Sequence, residues 1–324
     1  MDVFRHLPPA DQRAECALTI GNYDGVHRGH QAVLARLVER ARERGLASCV
    51  LTFEPHPREF FAQRLGGEPP ARILTERDKL DALAGCGIDR VCIARFDEAM
   101  ASLPPQAFID EVIVGALRAR FLLIGDDFRF GAKRAGDVRT LAAAAADGGF
   151  ELEQLGSVTA DGERISSSAV RAALAAGDFE RTRELLGRPY RISGHVAHGR
   201  KLGRNLGFPT LNLPVAFRRP ALAGVFVVRA HGLGPHALPG VANLGTRPAV
   251  ETDGKPLLEV HLLDFDRDIY GELVGVEFCR KLRDETNFDS LEALASQIDA
   301  DVRQARAWHE QHPPQAASTS RPTR

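Results

Sequence analysis

The strongest constraint on what this chain can fold into is a change of pattern near residue 188. From Cys16 to Leu155, short β-rich runs alternate with longer helical ones. The β-rich runs are CALTIGN (16–22), SCVLTF (48–53), RVCIARF (90–96), FLLIGDDF (121–128) and FELEQL (150–155). Between them, HQAVLARLVERARERG, TERDKLDALAGCG, PPQAFIDEVIVGALRA and DVRTLAAAAADGG space their apolar residues by three and four, and Gly45, Gly87 and Gly148 stand where helices should end. Strand, helix, strand, repeated, requires right-handed crossovers that cover both faces of a parallel sheet. The first part is therefore expected to be an α/β doubly wound parallel sheet.

After a helical stretch, SSAVRAALAAGDFERTRELLG, six short β-rich runs follow without intervening helices: RPYRISGHV, FPTLNLP, GVFVVRA, LPGVANLG, LLEVHLLD and LVGVEFC. Gly, Pro and Asp turns separate them, which predicts a small closed β-barrel with no exposed edges. A last helical segment, SLEALASQIDADVRQARAWHE, puts Leu291, Leu294, Ile298 and Val302 on one face, to pack on that barrel. A chain of 324 residues exceeds the usual size of a single core. The expected domains are 1–187 and 188–311, with the boundary at Gly187–Pro189 and a disordered tail over 312–324.

A formal net charge of −1, with 44% hydrophobic and 26% charged residues, describes a globular protein and not a polyelectrolyte. Neither nucleic acid nor a membrane is the expected partner, although a local positive pocket fits this balance. The five cysteines have no Cys-x-x-Cys spacing and mostly lie in apolar runs, as buried free thiols of a reducing compartment would. The first residues lack the apolar core of a signal peptide, and no apolar run approaches the ~20 residues that span a bilayer. The expected location is the cytoplasm; nothing in the sequence speaks to oligomeric state.

GNYDGVHRGH (21–30) ends the first strand and opens the first helix. In an open α/β sheet, ligands bind at such strand ends. Gly21, Gly25 and Gly29 permit sharp turns and close approach, and a helix N-terminus offers N–H donors to an anion. His27 and His30 could then donate to phosphate oxygens; a structural turn and a metal pair are the competing readings, the last without a third ligand at a recognisable spacing.

The ten-residue stretch resembles the G-N-F-D-G-V-H-x-G-H signature of bifunctional riboflavin kinase/FAD synthetases, with Tyr23 in place of Phe. Three further segments resemble that family's adenylyltransferase module in order: LTFEPHPREFF (51–61), GDDFRFG (125–131) and RISSSAVR (164–171), the last with Ser168 where Thr is usual. The resemblance implies that Gly21, Asn22, Asp24, Gly25, Ser166 and Ser167 bind ATP. It implies that His27, His30 and Arg171 stabilise its phosphates, and that Phe53, Pro55, His56, Pro57, Asp127 and Phe128 line a flavin site. By their residue types alone, the serines are also an N-cap cluster and the phenylalanines also core.

HGRKLGRNLGFPTLNL (198–213) combines a basic Gly-rich loop with Thr210 and Asn212, hard oxygen ligands suited to Mg²⁺. It is not a P-loop, because no Gly-Lys-Ser/Thr follows at that spacing. Gly199, Gly203 and Gly207 permit close backbone approach to the phosphates of ATP, and the segment from Gly207 resembles the riboflavin kinase G-F-P-T-A-N motif, with Leu211 for Ala. In LLEVHLLDF (257–265), alternation puts Leu258, Val260 and Leu262 on one face and Glu259 with His261 on the other. The resemblance makes Glu259 the base for the riboflavin 5′-hydroxyl, and RDETNF (283–288) supplies Arg283, Glu285 and Phe288 as flavin contacts. Over about residues 16–309 it implies phosphorylation of riboflavin to FMN and adenylylation of FMN to FAD, with ATP as co-substrate and Mg²⁺ as cofactor. Two alternatives remain: adenylyl transfer alone with a flavin-binding regulatory barrel, and an RNA-binding H-x-G-H protein, which needs a basic surface that net charge −1 does not suggest.

Overall fold

Apolar runs buried on both faces make the four central strands of the first sheet. In the computed structural model, which describes residues 1–156, 159–160, 163–198, 208–217, 219–246 and 256–313, the strands are β1 (Asp2–Phe4), β2 (Cys16–Ile20), β3 (Ala47–Glu54), β4 (Arg90–Arg95), β5 (Ala119–Gly125) and β6 (Glu151–Leu155). They pair in parallel throughout, in the order β1-β4-β3-β2-β5-β6. The order reverses between β2 and β5, and that switch point locates a ligand crevice at their carboxyl ends. The crossovers carry helices α1 (Arg28–Glu43), α2 (Pro57–Leu65), α3 (Glu76–Gly85), α4 (Glu98–Ser102), α5 (Pro105–Ala107), which runs into a π-helical segment (Phe108–Ala116), and α6 (Val138–Ala146). Gly45, Gly87 and Gly148 have φ of +64°, +78° and +86°, the left-handed exit that ends a helix. The edge strand β1 and the helix α2 were not among the sequence expectations. Three residues of strand carry too little periodicity, and in α2 the Pro-His-Pro turn itself serves as the helix start.

The barrel strands are β9 (Arg191–His195), β10 (Leu211–Pro214), β11 (Gly224–His231), β12 (Leu238–Thr246), β13 (Pro256–Leu262) and β14 (Leu273–Arg283); the short pair β7 (Thr159–Ala160) and β8 (Glu163–Arg164) forms its own hairpin. The six are antiparallel in the order β10-β13-β12-β11-β14-β9. Ala197 N–H donates to the Asn212 carbonyl at 2.8 Å and brings the two ends together, so the barrel is nearly closed. After α7 (Ser167–Ala176) and α8 (Phe179–Leu186), the last helix is α9 (Leu291–Gln311). Its Val302 and Ala305, with Ile298 and Trp308, cover Val225, Val227 and Val241 on the barrel's outer face. Leu291 departs from the expected stripe: at 65% exposure it begins the helix beyond the edge of that contact.

Two compact units divide the chain: Met1–Pro70 with Lys79–Ser167, and Ala71–Asp78 with the chain from Ser168 onward. This division falls earlier than Gly187–Pro189. Phe179 of α8 lies 5.9 Å edge-on from Phe226 and 6.0 Å stacked from Phe278, which groups that helix with the barrel strands. The segment 71–78 joins them by hydrogen bonds: Tyr190 Oη donates to the Ile73 carbonyl at 2.8 Å, and Ser193 N–H donates to Asp78 Oδ2 at 3.1 Å. The expected tail, from 314 onward, lies outside the described residues.

Candidate functional sites

In the α/β unit the loop after β2 winds through left-handed backbone at Tyr23 (φ 48°), Gly25 (φ 98°) and Val26 (φ 40°). A positive φ on a β-branched residue is strained, and such strain persists only where the surroundings hold it. Here Val26 is fully buried, its N–H donates to the Tyr23 carbonyl at 3.2 Å, and its carbonyl accepts from Gln31 Nε2 at 2.8 Å. Thr52 Oγ1 and Ser167 Oγ donate to the carbonyls of Asn22 (3.3 Å) and Asp24 (2.8 Å). The Gly21–His30 and Arg164–Ser167 segments are thus locked together. A Cβ on Gly29 would stand 3.2 Å from both the His27 ring and the Ile165 carbonyl.

His27 caps α1: its Nδ1 accepts from the His30 N–H at 3.3 Å, which leaves its proton on Nε2. The two imidazoles stack at 3.7 Å and 16°. His30 Nδ1 is buried and finds no hydrogen-bond partner among the described residues. Burial, then His27, then the charge of Lys79 hold the His30 pKa well below its usual value, so the ring is neutral at neutral pH. A neutral imidazole here acts by hydrogen bonding and not as a cation. Lys79 itself, 4% exposed on α3, was missed in the sequence; the signal was a lysine sharing its helix face with the buried Leu83. Tyr23 packs its ring 5.0 Å from His30 and shares a 2.9 Å hydrogen bond between its hydroxyl and that of Thr19, which accounts for the extra oxygen relative to Phe.

The expected flavin residues lie at the ends of β3 and β5, the two strands that flank β2. Phe53 is the last residue but one of β3 and meets Phe96 edge-on at 5.7 Å; Pro55 follows a cis peptide; Pro57 is the first residue of α2. His56 caps that helix, its Nδ1 accepting from Arg58 N–H at 3.0 Å, while Glu59 returns a bond to the His56 N–H at 3.3 Å. After β5, Asp127 accepts from Arg164 Nη2 at 2.6 Å, and Phe128 stacks on Phe130 at 5.5 Å. Ser166 precedes α7, and Arg171 on α7 donates from Nε to the Ala71 carbonyl at 2.6 Å, a bond that ties part of its guanidinium to the segment 71–78.

In the barrel unit, alternation does what the sequence implied: Leu258, Val260 and Leu262 are buried and Glu259 and His261 face outward. Register sets Asn212 of β10 directly opposite Glu259, and on the other side Asn243 of β12. His261 Nδ1 donates to the Pro209 carbonyl at 2.9 Å, which ties the approach to Thr210 against the strand of Glu259. Asn212 is 5% exposed, and its Oδ1 is buried without a partner among the described residues. A cavity of ≈ 280 Å³ opens beside Thr210, walled by Val260, Phe265, Arg267 and Tyr270. Asn243 was missed in the sequence, where VANLG read only as a strand; its register partner was the signal. Arg283 is held on the 2%-exposed Asp301 of α9 by bonds of 2.8–3.2 Å and lies 5.6 Å over the Phe288 ring. Glu285 accepts from Asn243 Nδ2 at 3.1 Å. Gly199 and Gly203 lie outside the described residues.

Among the described residues, no three His, Cys, Asp or Glu side chains gather as a metal-binding group, and no helix is long and apolar enough to cross a membrane. Comparison with known proteins finds the FAD synthetase family model over residues 10–169 and the riboflavin kinase model over residues 186–309. A bifunctional riboflavin kinase/FMN adenylyltransferase of Pseudomonas fluorescens is 50% identical over 292 residues, 90% of this chain and 92% of its own length. One of Escherichia coli K12 is 47% identical over 305 residues, 94% and 96% of the two chains. Among solved structures, a protein from Streptococcus pneumoniae described as a macrolide-efflux protein superposes with a TM-score of 0.73 at 28% identity, over 94% of this chain and 98% of that one.

Proposed function

This chain belongs to the bifunctional riboflavin kinase/FMN adenylyltransferase family, and we propose how its residues divide the family's two reactions. Residues 188–311 phosphorylate riboflavin: Glu259 accepts the ribityl hydroxyl proton as that oxygen attacks the γ-phosphorus of ATP, giving FMN and ADP. Residues 1–187 adenylylate the product: an FMN phosphate oxygen attacks the α-phosphorus of a second ATP, giving FAD and pyrophosphate. That nucleophile is already an anion, so no protein base is required. Positioning and donated hydrogen bonds carry the step, from His27 and His30 at the helix start and from Arg171.

The observation that carries the kinase assignment is the pairing of Glu259 with Asn212, whose buried Oδ1 finds no partner among the described residues. A divalent cation is the expected companion of ATP in this family, and we take it to be Mg²⁺. The Asn212 amide donates from Nδ2 to the Thr210 carbonyl at 3.4 Å, and its orphaned oxygen fits a hard cation that Asn212 and Thr210 would hold. When bound, it would neutralise charge on the phosphates. The cavity beside Thr210 suits the rest of the nucleotide, and we assign the reactions to the cytoplasm, where the five free cysteines stay reduced.

The test is incubation of purified protein with riboflavin, ATP and Mg²⁺, followed by chromatographic separation of riboflavin, FMN and FAD. Both products are expected in sequence. FMN without FAD sinks the assignment of the N-terminal site, and neither product sinks the whole reading.

A further inference from the structure

Glu259 stands in a row of polar side chains that continues past it. Asn212 faces it from β10 and Asn243 from β12, all on the outer face that alternates with the buried Leu258, Val260, Ala242 and Leu244. Directly opposed residues on one sheet face hold their Cβ atoms about 5 Å apart, so each asparagine is in reach of what Glu259 touches. Nδ2 of Asn243 donates to Glu285 Oε1 at 3.1 Å. A carboxylate only accepts, so this bond decides which way the amide points: nitrogen toward Glu285, oxygen away. That oxygen is buried and, like Asn212 Oδ1, finds no partner among the described residues. Glu285 reaches this position because β12 has a glycine two residues on; a Cβ at Gly245 would overlap the carboxylate.

Two buried acceptors without donors among the described residues, one on each flank of a single carboxylate, are unfavourable unless a ligand supplies what they lack. On the Asn212 flank the neighbour is Thr210, and the proposed cation would satisfy the oxygen. On the Asn243 flank the neighbour is Glu285, an anion already bound to the amide nitrogen, and the missing partner is a neutral O–H donor. The substrate of this site carries a chain of such donors next to the hydroxyl that reacts.

We infer that Asn243 is a substrate-positioning residue of the phosphorylation site, its Oδ1 accepting a hydrogen bond from a ribityl hydroxyl of riboflavin beside the hydroxyl that Glu259 deprotonates, while Nδ2 holds Glu285 against the strand. The inference rests on Glu259 as the base. It makes Asn243 a reader of the polyol chain and not of the flavin rings.

The test compares riboflavin with a deoxyribityl flavin lacking one non-reacting hydroxyl, in the full-length wild type, Asn243→Ala and Asn243→Asp, with KM and kcat for each flavin and KM for ATP. Asn243→Ala should raise KM for riboflavin about tenfold and lose most of the preference for riboflavin over one of the deoxy analogues, with KM for ATP within about twofold. Asn243→Asp keeps an acceptor but sets a second carboxylate against Glu285, and should retain the preference while kcat falls. A preference unchanged in Asn243→Ala, or lost equally in Asn243→Asp, overturns the inference, as does a parallel rise in both KM values, the sign of a structural role. If Asn243→Ala does not fold by circular dichroism, Asn243→Asp and Asn243→Ser decide: both carry an oxygen, and loss of the preference in both overturns it. Glu259→Ala serves as the control: activity surviving there refutes the base assignment itself, whereas a dead Glu259→Ala with an unchanged preference in Asn243→Ala refutes only the inference.

Discussion

The two halves of this molecule assemble their sites in opposite ways. In the α/β unit the candidate groups lie beyond the ends of strands, on a loop whose backbone is forced through positive φ at Tyr23 and Val26 and held by Thr52 and Ser167. In the barrel unit they lie within strands, and Asn212, Glu259 and Asn243 form a row because antiparallel register permits nothing else. A loop site depends on strain and on hydrogen bonds to the backbone; a sheet-face site depends on alternation and pairing. The first can be aimed at a phosphate by its N–H groups, whereas the second must do its work with side chains.

A reciprocal pair of substitutions puts this contrast at greatest risk. Glu259→Ala should slow FMN formation by roughly 10²–10⁴-fold and leave FAD formation from supplied FMN in place. His30→Ala should cut FAD formation by roughly 10²-fold or more and spare FMN formation. Either variant losing both reactions while still folded would mean that the two sites depend on each other.

Acid titration separates the halves by a smaller effect. Glu277, with its side chain 12% exposed, is pushed up by burial but held at about 2 by His231 and Arg191. Its folded pKa lies below the ordinary 4.5, so it contributes stability above pH 4.5 that is lost as pH falls toward 2. The loss is on the order of 2 kcal/mol after screening through the more exposed Arg191. Glu277→Gln should flatten the pH dependence of the barrel's thermal unfolding in that window. His30 works at higher pH: with its folded pKa depressed, the unfolded chain takes up the proton first, and stability falls as pH drops below about 6.5. In His30→Gln that step should vanish from thermal scans between pH 7 and 5.

The smallest effect tests the one departure in the loop motif. Tyr23→Phe removes the hydroxyl paired with Thr19 and should cost about 1 kcal/mol of stability by denaturant titration, with FAD formation within about twofold of wild type. A large loss of activity would mean that the hydroxyl orients His30 and does more than fill a core.

Much of this was legible in one dimension. All five expected strands of the parallel sheet and all six of the barrel are present, because period-two and period-3.6 patterns report which faces a segment buries. Alternation alone put Glu259 on the outward face. Less legible were Lys79, Asn243 and the true stripe of α9. A buried lysine looks like any charged letter, Asn243 acquires its meaning from a strand some sixteen residues away, and Leu291 fits the helical spacing but overhangs the contact. The segment 71–78 was beyond reach for the same reason, since its partners at Tyr190 and Ser193 lie more than a hundred residues on.

The two element patterns, the loop chemistry at Gly21–His30 and the outward placement of Glu259 are written in the order of the residues, because each depends only on neighbours along the chain. That His30 is neutral, that Glu285 lies over Gly245 and is held by Asn243, and that two amide oxygens are left buried beside Glu259 followed only once the chain had folded. Burial, register and hydrogen-bond satisfaction are properties of segments brought together from afar, and no local pattern records them.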